Sequence, residues 1–241
     1  MRISVIIPTL NEEKLIESML RQFKNEIKNH YDIELILSDG GSSDNTVEIA
    51  SRYVDKILIQ DDKLTKNISI GRNRGFLRAN GDVLVFLNAD TRFSDINAFF
   101  NLVRSFYNNN SFVAIAFPVR VFPEEEKLSD KLFHKFYNFY VRILNKFFIG
   151  MGRGECHVIK RKVFEKVGGY NETLFAGEDF DLYKRIRKFG RILFAKDNII
   201  YESPRRYRKY GYIKVFFDWA KNAISVVLFR KSISKTWEAV R

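Results

Sequence analysis

Cysteine and histidine are nearly absent: Cys156 stands alone, and His30, His134 and His157 are the only histidines in 241 residues. One cysteine excludes an intrachain disulfide and leaves no zinc ligand set, which favours a reducing, cytosolic-side setting. Four prolines and 13 glycines leave little room for a disordered linker, and the chain shows no internal repeat or low-complexity stretch. Long hydrophobic runs are also missing. The apolar opening at 3–7 is too short for a signal peptide or a membrane span and reads as a buried strand. A later aromatic stretch, 210–229, is interrupted by Lys214, Asp218 and Lys221, so it reads as a surface-attachment or dimer-contact segment and not as a transmembrane helix.

Aromatic residues and positive charge are in excess, with 23 Phe and 11 Tyr beside a formal charge of +12. Such a chain suits anionic partners: phosphates, nucleic acid or acidic lipid. The charge is concentrated, because the residues from Ser203 onward hold ten Lys or Arg against Asp218 and Glu238 and so carry +8 of the total. No nucleic-acid module accompanies it, and the basic and aromatic residues recur at helical spacing, so nucleic acid is not expected as a partner.

The first 87 residues alternate strand and helix. A β-branched run at 3–7 ends at Pro8, and Leu15, Ile16, Met19, Leu20 and Phe23 then mark one helix face. Strands at 33–37, 57–59 and 83–87 alternate with helices at 46–53 and 67–79. This order predicts an α/β protein with a mostly parallel central sheet, right-handed crossovers and ligands beyond the strands' carboxyl ends. The second half is less regular, with strand-like 112–121, a helix over 128–148, a strand at 156–160, a short helix ending at Gly168-Gly169 and a helix over 179–188. Within 128–148 apolar residues form a stripe, basic residues lie between them, and no acid occurs from Lys131 to Gly154. That pattern fits either an interfacial membrane helix or a core face.

The alternation places Asp39, Asp90 and Asp179 in loops on one edge. A lone loop aspartate is ordinarily a cap or turn residue, but three on one rim point to a site.

In that order the motifs resemble the family 2 glycosyltransferases with a GT-A, Rossmann-like fold, over residues 1–202. Ile3-Ser4-Val5-Ile6-Ile7-Pro8-Thr9-Leu10-Asn11-Glu12-Glu13 is similar to the family's opening strand and nucleotide loop. Ser38-Asp39-Gly40-Gly41-Ser42-Ser43-Asp44-Asn45-Thr46 is similar to its second nucleotide loop. The resemblance implies donor contacts from Pro8, Thr9, Asn11, Glu12, Asp39 and Gly40, with Asp39 accepting from a base or ribose hydroxyl. Gly71-Arg72-Asn73-Arg74-Gly75 resembles the segment in which an arginine reaches the donor diphosphate, here Arg72; its bland reading is a solvated helix face.

Leu87-Asn88-Ala89-Asp90-Thr91 stands where the family has an Asp-x-Asp motif, with Asn88 replacing the first acid. The resemblance implies Mg²⁺ or Mn²⁺ on Asp90, with Asn88 and Ala89 beside the donor; such cations need few protein carboxylates when phosphates and water supply the other ligands. Gly177-Glu178-Asp179-Phe180-Asp181-Leu182 is similar to the family's Glu-Asp element, which implies that Asp179 is the general base of an inverting transfer to a hydroxyl, or orients the nucleophile if the acceptor is an ionised phosphate; Glu178, Gly154 and His157 are expected on the acceptor side. Arg205 and Arg206, where many relatives have a histidine metal ligand, either close over the leaving diphosphate or form a basic, lipid-facing turn.

These expectations divide the chain into a donor and metal half (1–115), an acceptor half (116–202) containing helix 128–148, and a basic amphipathic extension (203–241). The implied partners are a UDP- or GDP-linked sugar and a saccharide or polyprenyl-phosphate acceptor, with a peripheral membrane surface or a homodimer contact at the aromatic helices. A non-catalytic nucleotide-binding protein on the same fold is the main alternative, and Asn88 is its best argument. A nucleotidyltransferase lacks its expected Gly-rich triphosphate loop here.

Overall fold

The computed structural model describes residues 1–60, 67–147 and 149–234. Its first half is β1 (Ile3–Thr9), α1 (Ile16–Leu20), α2 (Asn25–Tyr31), β2 (Ile33–Asp39), α3 (Thr46–Ser51), β3 (Lys56–Ile59), α4 (Ile68–Phe76) and β4 (Val83–Leu87). Every residue of β1, β2 and β4 is buried, as expected of central strands covered on both faces. The pleat sends Val5, Ile7 and Leu35 into one core and Ile6, Ile36 and Phe86 into the other.

The chain continues through β5 (Thr91–Phe93), α5 (Ile96–Asn108), β6 (Phe112–Ala116), β7 (Val119–Val121), α6 (Leu128–Lys146), β8 (Cys156–Lys160), α7 (Arg161–Lys166), α8 (Glu178–Ile186), β9 (Arg191–Phe194), β10 (Ile200–Glu202), α9 (Arg205–Tyr210) and α10 (Tyr212–Phe229). Phe148, the last residue of the helix expected over 128–148, lies outside the described residues. The stretch 112–121, expected as one strand, is two strands in different sheets. Pro118 separates them, because a residue without an N–H cannot continue the ladder.

The main sheet has the order β3-β2-β1-β4-β8-β6-β9, with β8 antiparallel to both of its neighbours and the other described strands running one way. Because β8 is reversed, the residues that precede it reach the rim where β4 ends: Leu87 pairs with Cys156, and Asn88 N–H donates to Glu155 O at 3.2 Å. A second sheet, β5-β10-β7, sets Glu202 opposite Thr91. It therefore brings the chain after Glu202 beside Asp90. The strands and helices expected from the sequence include neither this sheet nor α2, α5, β9 and α9.

Gly75 lets α4 lie against β1, since a Cβ there would stand 2.3 Å from Ile6 Cγ2 in the core. Ile6 is β-branched and fully buried, so it cannot give way easily. Gly75→Ala is expected to destabilise the protein by about 1–3 kcal/mol through overpacking, read as a lower urea midpoint; an unchanged midpoint would show that α4 is free to move.

Candidate active site

At the carboxyl rim the two loops expected to hold a nucleotide are tied to each other. Asp39 is fully buried. One of its oxygens accepts from Thr9 Oγ1 (2.9 Å) and Ser42 Oγ (2.5 Å), the other from the N–H groups of Gly41 (2.9 Å) and Ser42 (2.7 Å). Asn11 has φ 55, a left-handed conformation that asparagine tolerates, and its side-chain oxygen accepts from Ser43 N–H at 2.8 Å. Asp39 and Asn11 thus hold loop to loop. Thr9 and Gly40 line a small cleft that shares Pro8 and Ile68 with a much larger cavity.

That cavity encloses about 540 Å³ and gathers most of the other candidates. Pro8 and Glu12 contribute from the first loop, Arg72 from α4, and Asn88, Ala89 and Asp90 from the end of β4. Gly154 comes from the approach to β8, Glu178 and Asp179 from the start of α8, and Arg205 and Arg206 from α9. α10 adds Lys214, Trp219 and Asn222 to the wall. Asp90 and Asp179 therefore share one chamber, while Asp39 stands behind the loop beside it. His157 is in neither. It is fully buried in β8, with Nδ1 2.6 Å from Tyr170 Oη and its ring against Tyr183, and burial pushes its pKa well below the ordinary histidine value.

Arg72 is 1% exposed, and its guanidinium is taken up within the protein. It donates to Glu178 Oε1 (2.9 Å), Asn88 Oδ1 (3.2 Å) and Gly154 O (2.7 Å), and it stacks over Tyr170 at 5.1 Å. Burial disfavours its charge, yet Tyr170, Glu178 and Asp179 together hold its pKa above the usual arginine value. A solvated helix face is excluded: the guanidinium borders the cavity and ties its walls together. Asn88, in the place of an acid, serves Arg72 as a neutral acceptor.

Asp179 sits above Gly154, where an added Cβ would lie 3.7 Å from its Oδ2. Burial and the neighbouring Glu178 push its pKa up to about 7, against the opposing bond from Phe180 N–H. A carboxyl near 7 is suited to accept a proton at neutral pH.

A second ionic cluster, absent from the sequence motifs, borders the same cavity through Arg153, Glu155 and Glu202. Arg153, 3% exposed, donates to Glu155 (3.2 Å) and Glu202 (3.0 Å), and it stands 3.1 Å from His134 Nδ1. Burial, then Arg153, drives the His134 pKa down to about 2, so the ring is neutral. Burial and Glu155 raise Glu202 well above the carboxylate range. The only hint in the sequence was an arginine flanked by Gly152 and Gly154.

Among the described residues no group of three His, Cys, Asp or Glu side chains could hold a metal by itself. Asp90 nevertheless presents a hard oxygen donor on the cavity wall, which fits Mg²⁺ or Mn²⁺ arriving with phosphate and water ligands.

The model of Glycosyl transferase family 2 matches residues 4–168. The chain belongs to that family. The Bacillus subtilis protein named "Probable glycosyltransferase YdaM" is 27% identical over 205 residues, which cover 78% of this chain and 47% of that protein. The GalNAc(5)-diNAcBac-PP-undecaprenol beta-1,3-glucosyltransferase of Campylobacter jejuni is 26% identical over 246 residues, covering 98% of this chain and 74% of the relative. The chain thus spans about half the length of the first of these relatives and about three quarters of the second. In structure it resembles the mannosyltransferase PcManGT of Pyrobaculum calidifontis, solved with GDP-Man and Mn²⁺, with a TM-score of 0.66 at 20% identity over 84% of this chain and 56% of that one. The fold is GT-A, with the mostly parallel sheet expected.

Replacing the buried cation tests its positioning role. Arg72→Met leaves Glu178 without its partner, a loss of about 3–5 kcal/mol for a broken buried pair, seen as a lower Tm. A wild-type Tm would show that Arg72 organises nothing.

Proposed function

We propose that this family 2 chain transfers a sugar from a UDP- or GDP-linked donor to an acceptor hydroxyl, with inversion at the anomeric carbon. The observation that carries the reading is the shared cavity, with Asp90 on one wall and Asp179, poised near pH 7, on another. The acceptor oxygen forms a bond to the anomeric carbon, the bond from that carbon to the diphosphate breaks, and the acceptor proton passes to Asp179. Arg205 and Arg206, both on the cavity wall, offer positive charge to the departing diphosphate. A divalent cation held by Asp90 would supply Lewis-acid neutralisation of the same charge. Pro8, Thr9, Glu12 and Gly40 border the nucleotide side, with Asp39 and Asn11 fixing their loops.

We propose a lipid-linked acceptor met at an anionic membrane surface. The Campylobacter relative is named for an undecaprenol-linked one. On this chain α6 and α10 lie side by side, with Phe136 and Phe216 rings 6.0 Å apart. Together they expose Phe136, Phe139, Phe217 and Leu228, each by 55% or more. Exposed Lys135, Arg142 and Lys146 on α6 complement an anionic headgroup layer. No helix among the described residues is long and apolar enough to cross a membrane.

Asp179→Asn should retain donor binding and lose at least about a hundredfold in kcat; an unchanged rate with a hydroxyl acceptor would remove the assigned base. Since the carboxylate must be ionised to accept a proton, kcat/KM should fall about tenfold per pH unit below roughly pH 7 and level off above it, and a flat profile between pH 5 and 8 would contradict this assignment. Phe136→Ser combined with Phe139→Ser and Phe217→Ser should abolish co-sedimentation with phosphatidylglycerol vesicles while circular dichroism stays native. Wild-type sedimentation of that variant would count against the membrane surface.

A further inference from the structure

Arg205 holds two donor-side carboxylates at once. Its guanidinium is bidentate to Glu12, 2.8 Å to each oxygen, and its Nη2 also lies 3.1 Å from Asp90 Oδ2. The side chain is 22% exposed, so these pairs are partly withdrawn from water, where charge-assisted bidentate bonds are strongest. Burial opposes the charge, but the bonds to Glu12 and the field of Asp90 prevail, and the guanidinium stays protonated. The contact follows from the fold: the pairing of Glu202 with Thr91 brings α9 to the rim at the residue after Asp90.

A divalent cation at Asp90 would face this guanidinium across a single carboxylate, and two positive charges a few ångströms apart repel. With Asn88 neutral and bonded to Arg72, the motif has no second charge with which to attract the metal. A nucleoside diphosphate changes the balance, because its oxygens give the guanidinium a new bidentate partner and give the metal further anionic ligands.

We propose that Arg205 is the resident counter-ion of Asp90 and Glu12, so that a divalent cation binds at Asp90 only together with the nucleoside diphosphate that draws the guanidinium away. The proposal rests on the donor site argued above and adds an order of binding: metal and nucleotide enter together, and metal alone does not.

The test is Mn²⁺ binding to the full chain, followed by the paramagnetic resonance of free Mn²⁺ without nucleotide, and then by calorimetry with UDP or GDP. Wild type should bind Mn²⁺ feebly alone, and Arg205→Gln should bind it at least about tenfold more tightly. Arg205→Lys, which keeps the charge without the fork, should fall between them, and adding Asp90→Asn to Arg205→Gln should erase the gain. Equal affinity of wild type and Arg205→Gln without nucleotide overturns the proposal, as does a gain that survives Asp90→Asn. If neither UDP nor GDP bound while the Arg205→Gln gain persisted, the counter-ion role would stand and the proposed donor would fall.

Discussion

A guanidinium buried in a protein interior must find acceptors, because an unpaired buried charge costs several kcal/mol. Arg72 is in that position, and it finds them in three places far apart in sequence: Glu178 at the head of α8, Asn88 at the end of β4 and Gly154 before β8. Those same places carry or flank Asp179 and Asp90. Satisfying one cation therefore fixes the distance between the wall that presents Asp90 and the wall that presents Asp179. The cavity is what remains between them.

Sheet topology makes this possible. Parallel strands deliver the loops after β1, β2 and β4 to one rim, and the reversed β8 adds Gly154 and Glu155 to it from the opposite direction. The small sheet then supplies Glu202 and α9, and with them Arg205. Charge on that rim is matched in pairs: Arg72 with Glu178, Arg153 with Glu155 and Glu202, Arg205 with Glu12 and Asp90. Among the described residues no arginine bonds the Asp179 carboxylate, and its raised pKa follows from burial beside Glu178. Asp179 is thus left able to exchange a proton near neutral pH.

The alternation of the first 87 residues was legible because each buried strand is a short β-branched run closed by proline, aspartate or asparagine. Val83–Leu87, closed by Asn88, matches the expected bounds to the residue. α5 was missed although Asp95 caps it and Phe99, Phe100, Val103 and Phe106 mark its buried face. Strands of three residues, β5, β7 and β10, carry no period to read, so the sheet that brings Arg205 to Asp90 was invisible. The motifs do not name each side chain's partner. Asp39 bonds Thr9, Gly41 and Ser42, and Arg72 bonds Glu178, Asn88 and Gly154, and none of these partners is written in the motifs. Which partner wins depends on register and depth, which a linear pattern does not contain.

If Asp90 and Asp179 serve one reaction, the donor's reacting carbon lies between them in one chamber. A crystal structure of the protein with a nucleoside-diphosphate sugar and Mn²⁺ tests it most directly. The account predicts the diphosphate beside Asp90 and the anomeric carbon facing the Asp179 side of the cavity; a nucleotide bound at another surface, or a sugar turned away from Asp179, would contradict it.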